Sequence, residues 1–253
     1  MAMFGDDKWE APDRNFAGHR DCYVRNMSRY RFIAPQVSGR CLDLGCGRGY
    51  GFSYLQEKCT SCTGLDLSED FLREARAQYP GVQFIHQNAE KLPFEDQSFD
   101  SITSFEVIEH IQDDKAFLRE IKRVASPRAV IAISTPNRRV ASGEGKRPLN
   151  RFHVREYEPE EFRRLLQSIF GEVVLYGQSE GGDQDETGSF LGSMIDRIPV
   201  RLKYLVPVYL QNLLSVTLRT PLRMENCHFE PEVFLGAHTL YATCRVEAPG
   251  REV

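Results

Sequence analysis

From residue 40 to residue 176, short apolar runs alternate with stretches of helical periodicity, and that alternation confines the chain to a mostly parallel sheet built from βαβ units. Strands are expected at Arg40–Leu44, Cys62–Leu65, Val82–His86, Phe99–Phe105 and Ala129–Ser134, then at Glu172–Tyr176 and Thr239–Val246. Helices are expected near Tyr50–Lys58, Glu69–Gln78 and Asp113–Val124. Another, Pro159–Phe170, opens with proline and acids as a helix N-terminus should.

Two segments fall outside the alternation. Residues 1–39 precede the first strand, and Asp21–Ala34 read as a helix able to cover one edge of a site. Residues 177–236 separate the last two strands. They open with the acidic loop GQSEGGDQDETG and continue as a stripe of Leu202, Leu205, Val206, Tyr209, Leu210, Leu213 and Leu214 at helical spacing, which Pro207 should kink. Such a stripe packs on its own core, caps a substrate, forms a dimer face or docks on a membrane surface over 198–218; packing on the core is the plain reading. A chain of 253 residues accommodates all of this as a single domain, 1–253, with an N-terminal helical cover and a helical insertion.

Charge and cysteine usage narrow the class. Thirty-two basic against thirty-six acidic residues leave no electrostatic footprint for nucleic acid. The first residues, MAMFGDDKWE, carry acids where a secretory signal would be basic, and no run approaches the roughly 18 apolar residues of a membrane span. Seven cysteines without a framework suggest reduced thiols and a cytoplasmic location. Cys59 and Cys62 form one CxxC with no second pair, so a helix end running into a buried strand is a better reading than a zinc site.

The segment CLDLGCGRGYG, residues 41–51, runs a hydrophobic strand into glycines at every second position. Glycines permit positive φ and close approach of a ligand to the backbone. The register is not that of GxGxxG, because Tyr50 stands where the third glycine would fall. Asp66 closes the second strand 21 positions beyond Gly45, where an acid accepts hydrogen bonds from a ribose diol. Its alternative role is helix capping, which Ser68 fits better. After the third strand come Asn88 and Ala89, placed to read an adenine edge; after the fourth comes SFEVIEHI, and after the fifth, ISTPN.

Taken in this order and at these spacings, the glycine loop, the ribose acid, NAEKLPF, FDSITSFEVIEHI and STPN resemble class I S-adenosylmethionine-dependent methyltransferases, tightly over residues 40–137 and more loosely to the final strand. The resemblance implies a Rossmann-like α/β fold: a seven-stranded, mostly parallel sheet with the last strand antiparallel and helices on both faces. It implies that Asp43 is among the residues that bind S-adenosylmethionine, that Gly45–Gly47 meet its methionine end and that Asp66 meets its ribose. Leu67, Asn88 and Ala89 would meet the adenine, and Phe105 would line the sulfonium. Many relatives carry Asp where Asn88 stands; Asn keeps an acceptor for the adenine amino group. Tyr30 and Arg31 resemble an Arg-Tyr element able to meet the cofactor's carboxylate.

Methyl transfer from a sulfonium is an in-line displacement, so positioning supplies much of the rate. An oxygen acceptor must also lose a proton to a base or ionise on a metal. Glu106, Glu109 and His110 stand at i, i+3 and i+4 past the fourth strand and would share a face if the chain turns helical there. The ExxEH element resembles the divalent-metal motif of ubiquinone-pathway O-methyltransferases. With His153 added, it resembles that of small-RNA 2′-O-methyltransferases. The three readings are a divalent cation (Mg²⁺ or Mn²⁺) on Glu106, Glu109, His110 and His153, a metal-free pocket with His110 as base or orienter, and a solvated helix face; His153 reads equally well as an ordinary loop histidine.

The expected activity is O-methylation of a small hydroxylated metabolite: a sugar, a glycosylated product or a catechol-like ring. RNA 2′-O-methylation is the alternative, disfavoured by the charge balance and the lack of an appended RNA-binding module. A non-catalytic S-adenosylmethionine or S-adenosylhomocysteine binder would need no acid–imidazole cluster. Acceptor identity and oligomeric state are not legible, and N- or C-methylation stays open.

Overall fold

The computed structural model describes residues 20–142, 148–180, 224, 227–234 and 236–246. Its frame is an eight-stranded sheet in the order β3-β2-β1-β4-β5-β8-β6-β7. The central β1, Arg40–Leu44, is flanked in parallel by β2 (Ser61–Asp66) and β4 (Phe99–Phe105). β3 (Gln83–His86) and β5 (Ala125–Pro136) continue the parallel sheet on either side. β8, Thr239–Arg245, lies antiparallel between β5 and β6 (Glu172–Glu180). Chain order reverses between β1 and β4, which opens a crevice at their carboxyl ends.

The expected mixed sheet with an antiparallel last strand is present, but it holds eight strands rather than seven. The addition is β7, Cys227–Pro231, paired antiparallel with β6 from Tyr176 to Glu180. The loop expected from Gly177 therefore begins as strand. Its polar composition hides a buried position: Gln178 is held inside by Arg29, which the sequence pattern does not show. The rest of that loop, the leucine stripe of 202–214 and residues 1–19 lie outside the described residues.

Alternation along the strands sorts the core into two layers, as expected when both sheet faces are covered. Leu42, Ile131, Ile133 and Leu240 pack under Phe117, Leu118 and Ile121 of α4 (Asp114–Val124) and Phe162 and Leu166 of α6 (Pro159–Gln167). On the other face Cys41, Val130, Ala132 and Tyr241 meet Ile33 of α1 (Arg20–Ile33), Phe52 of α2 (Phe52–Leu55) and Leu72 of α3 (Glu69–Gln78). β7 extends this second face, and its Phe229 stacks on Phe32 of α1 at 4.3 Å between ring centroids. The helix expected at Tyr50–Lys58 is shorter, and a brief α5, Arg138–Ala141, follows β5 unannounced. Asp113 caps α4 by accepting from Ala116 N, and Ser68 caps α3 by accepting from Phe71 N. Among the described residues no helix is long and apolar enough to cross a membrane.

Candidate active site

The carboxyl edge of the sheet carries two neighbouring constellations. The first forms where β1 and β2 end. Gly45 takes φ +70°, and a Cβ there would stand 2.4 Å from Val107 Cγ2, so only glycine closes this turn against the segment after β4. Gly45 N and Cys46 N both donate to Leu65 O, which ties the turn to β2. The Asp66 carboxylate accepts from Gly47 N and Ser68 N, each at 2.8 Å, and burial raises its pKa. Two backbone donors thus hold the acid at the lip of the glycine turn. Gly51 serves packing instead: a Cβ would lie 2.2 Å from the Tyr30 ring.

Leu67 beside Asp66 is 44% exposed, an apolar surface that a purine face would cover, and Ala89 is buried. Asn88 is exposed and accepts from Glu90 N. Phe105 closes β4, edge-to-face with Tyr30 at 4.8 Å. These residues fit the donor–acceptor and apolar needs of an adenosyl cofactor. Two expected contacts fall elsewhere. Asp43 is fully buried beneath the turn, accepting from Thr103 Oγ1 at 2.6 Å and Tyr30 Oη at 3.0 Å; burial pushes its pKa up to about 7. Arg31 is exposed. Two residues along a helix turn by about 200°, so Arg29 faces inward where Arg31 faces out. Arg29 is 2% exposed, donates to Gln178 Oε1 and Thr239 Oγ1, and pairs with Glu106 at 3.2 Å.

The second constellation follows β4. The helical face expected for Glu106, Glu109 and His110 does not form. Glu106 adopts φ +57° and a 3₁₀ turn spans Ile108–His110, so Glu106 departs from the other two. It accepts from Ser134 Oγ at 2.8 Å and faces Arg29, on the α1 side of the edge. Glu109 is 1% exposed. Its Oε2 accepts from Thr135 Oγ1 at 3.1 Å, whereas its Oε1 has no hydrogen-bond partner. Burial first, and Glu106 second, drive the Glu109 pKa well up.

His110 and His153 face one another edge-to-face with ring centroids 5.0 Å apart. His110 Nδ1 lies 3.0 Å from Phe152 O, and burial lowers the pKa of this imidazole. One ligand atom each from Glu109, His110 and His153 lie within 4.8 Å of one another, the only group of three potential metal ligands among the described residues. Glu106 is not part of it. The CxxC contributes none either: Cys62 sits in β2 opposite Cys41 of β1, and Cys59 in the turn before it.

Sequence reasoning missed Arg29, Thr135, Asn150 and Glu156. The last two belong to the loop that carries His153: its Nδ1 lies 2.8 Å from Glu156 Oε1 and its Nε2 3.0 Å from Asn150 Nδ2. The i, i+3 spacing of His153 and Glu156 was the one available signal.

The fold, the glycine turn with its acid and the acid–imidazole edge fit a methyltransferase, and comparison with known proteins agrees. Residues 42–133 match the family model described as "Methyltransferase domain". A protein of Mycolicibacterium smegmatis named a probable S-adenosylmethionine-dependent methyltransferase is 36% identical over 180 residues, 71% of this chain and 66% of that one. A phthiotriol/phenolphthiotriol dimycocerosates methyltransferase of Mycobacterium tuberculosis is 31% identical over 165 residues, 62% of this chain and 60% of that one. The crystal structure of an S-adenosylmethionine-dependent methyltransferase from Thermotoga maritima superposes with a TM-score of 0.61 at 17% identity, covering 91% of this chain and 92% of that one. The chain spans just under two thirds of the length of the curated relatives it matches. The chain belongs to the class I S-adenosylmethionine-dependent methyltransferases, and the family's cofactor is S-adenosylmethionine.

Proposed function

We propose that this protein transfers the methyl group of S-adenosylmethionine to a hydroxyl of a small-molecule acceptor held over the carboxyl ends of β4 and β5, assisted by a divalent cation at Glu109, His110 and His153. The observation that carries the reading is Glu109 Oε1. It is a buried carboxylate oxygen without a partner, converging with two imidazoles. An orphaned buried acceptor costs about 1–3 kcal/mol, and a cation bridging the three groups would remove that cost. One carboxylate with two imidazoles suits manganese, iron or zinc better than magnesium, which prefers oxygen. Bound there, a cation would lower the pKa of a coordinated hydroxyl toward neutrality. Relatives named for phthiotriol acceptors, alcohols by that name, support an oxygen acceptor.

The chain's own residues divide the remaining work. Asp66 and the Gly45–Gly47 turn hold and orient the cofactor, while Phe105 and Tyr30 wall off its reactive end from water. Thr135 holds Glu109 by one oxygen and leaves the other directed at the site. Arg29 neutralises Glu106 and keeps it from the cation position.

The test begins by finding the acceptor, as radiolabelled methyl incorporation into a metabolite extract followed by mass spectrometry. On that acceptor, dialysis against EDTA should abolish turnover and divalent cation restore it. Glu109→Ala should keep S-adenosylhomocysteine affinity within about twofold, since the two sites share no ligand, while turnover falls at least tenfold, because loss of even an outer partner of a metal ligand costs about 10- to 100-fold. Full rate in EDTA would remove the metal and leave His110 as the base. Cofactor binding with no acceptor labelled would favour a binding protein.

A further inference from the structure

The loop that delivers His153 is built more tightly than a surface connection needs to be. Glu156 is 6% exposed, yet it carries a carboxylate. One oxygen lies 2.8 Å from His153 Nδ1 and the other accepts from Ser142 Oγ at 2.5 Å. Ser142 Oγ in turn accepts from Leu149 N, so the carboxylate closes the loop on itself. Asn150 accepts from Phe152 N through Oδ1, which fixes its amide orientation and presents Nδ2 to His153 Nε2 at 3.0 Å. Phe152 O meets His110 Nδ1, and Val154 N donates to Glu109 O at 2.8 Å. A single loop therefore sets the direction of both imidazoles and is strapped to the backbone of the buried acid.

A buried carboxylate beside an imidazole nitrogen can only accept, so the proton must sit on Nδ1 and the lone pair on Nε2. The contact with an amide donor at Nε2 requires the same tautomer. We propose that Glu156 is a positioning residue that holds His153 with its proton on Nδ1 and presents Nε2 to the acceptor side of the site, with the Asn150 amide occupying Nε2 until a cation or an acceptor hydroxyl displaces it. Carboxylate partners of this kind orient metal-binding histidines, and their loss weakens the metal about 10- to 100-fold. The displacement half of the inference rests on the proposed cation site; the tautomer half does not.

Two measurements on the full chain, saturated with S-adenosylhomocysteine, separate the inference from the reading beneath it. The first is ¹⁵N-resolved NMR of the histidine rings without metal, with the His153 signals assigned through His153→Gln. The parent should show one neutral tautomer, protonated on Nδ1. Glu156→Gln, which keeps an acceptor but loses the charge, should largely retain it; Glu156→Leu should release it. A parent ring protonated on Nε2, or averaging between tautomers, would overturn the inference, as would an unchanged tautomer in Glu156→Leu. The second is calorimetric titration with Mn²⁺. Glu156→Gln should bind Mn²⁺ about tenfold more weakly, with S-adenosylhomocysteine affinity unchanged. A parent that binds Mn²⁺ and a Glu156→Gln variant that binds it equally well would refute the positioning role and leave the cation site standing. A parent that binds no Mn²⁺ would sink the cation site and the displacement step, and the ring tautomer would then decide the role of Glu156. Should Glu156→Leu fail to fold, the parent tautomer and the Glu156→Gln titration carry the decision.

Discussion

The two halves of the carboxyl edge are built by different means. The turn and acid of the proposed cofactor half lie in one contiguous segment, from the end of β1 to the start of α3, and are held chiefly by backbone amides: Gly45 N and Cys46 N on Leu65 O, Gly47 N and Ser68 N on Asp66. The proposed acceptor half draws on β4, β5 and the loop before α6, and is held by side chains: Glu109 on Thr135, His153 on Glu156 and Asn150. A site written in backbone amides tolerates changes of side chain as long as the turn forms. A site written in buried carboxylates and imidazoles depends on every partner being in place. The comparison separates a donor half that a whole family can share from an acceptor half that distinguishes its members.

The largest effect should come where the halves touch. Gly45→Ala places a Cβ against Val107, the residue between Glu106 and the 3₁₀ turn, at a φ that already costs an L-residue about 1–2 kcal/mol. It should lower the melting temperature and impair both S-adenosylhomocysteine and Mn²⁺ binding in calorimetric titration. Loss of the cofactor alone would show that the halves are mechanically separate.

Asp66→Ala should act on one half only. Losing hydrogen bonds to a charged acceptor costs about 1.5–3 kcal/mol, so S-adenosylhomocysteine should bind roughly 10- to 150-fold more weakly while Mn²⁺ binding is retained. Unchanged cofactor affinity would move the ribose away from the end of β2.

The last effect is a slope, read one pH unit at a time. Asp43 has its pKa raised by burial from 3.8 to about 7. The folded state therefore keeps a proton that the unfolded chain releases as pH rises, and stability falls with rising pH between about 4 and about 7. Asp43→Asn removes this dependence. Its stability advantage over the parent should grow by about 1.4 kcal/mol per pH unit across that window and level off above it. Denaturant unfolding at pH 5, 6 and 7 reads the difference, and a constant offset would mean that Asp43 is ionised throughout.

The alternation of strands and helices, the glycine turn and the acid at the end of β2 were all legible in the sequence, because each is marked by residue types within a few positions of one another. β1 and β4 lie where the apolar runs place them, and Ser68 and Asp113 cap the helices that follow them. Directions and partners were another matter. Glu106 parts from Glu109 and His110 because one residue at positive φ and a 3₁₀ turn replace the helical face that an i, i+3, i+4 spacing suggests. Arg29 rather than Arg31 turns inward because its partner Gln178 lies 149 residues away, in a strand whose composition reads as loop. β7 exists because the aromatic face under α1 continues past β6, and Phe229 has Phe32 to stack on. Periodicity and turn chemistry act within a few residues, so the sequence by itself determined the class of fold and the positions of the glycine turn and the acid after β2. Burial of a charged side chain is decided by whichever distant group can satisfy it, so only the tertiary structure decided which acids and imidazoles face one another in the acceptor half.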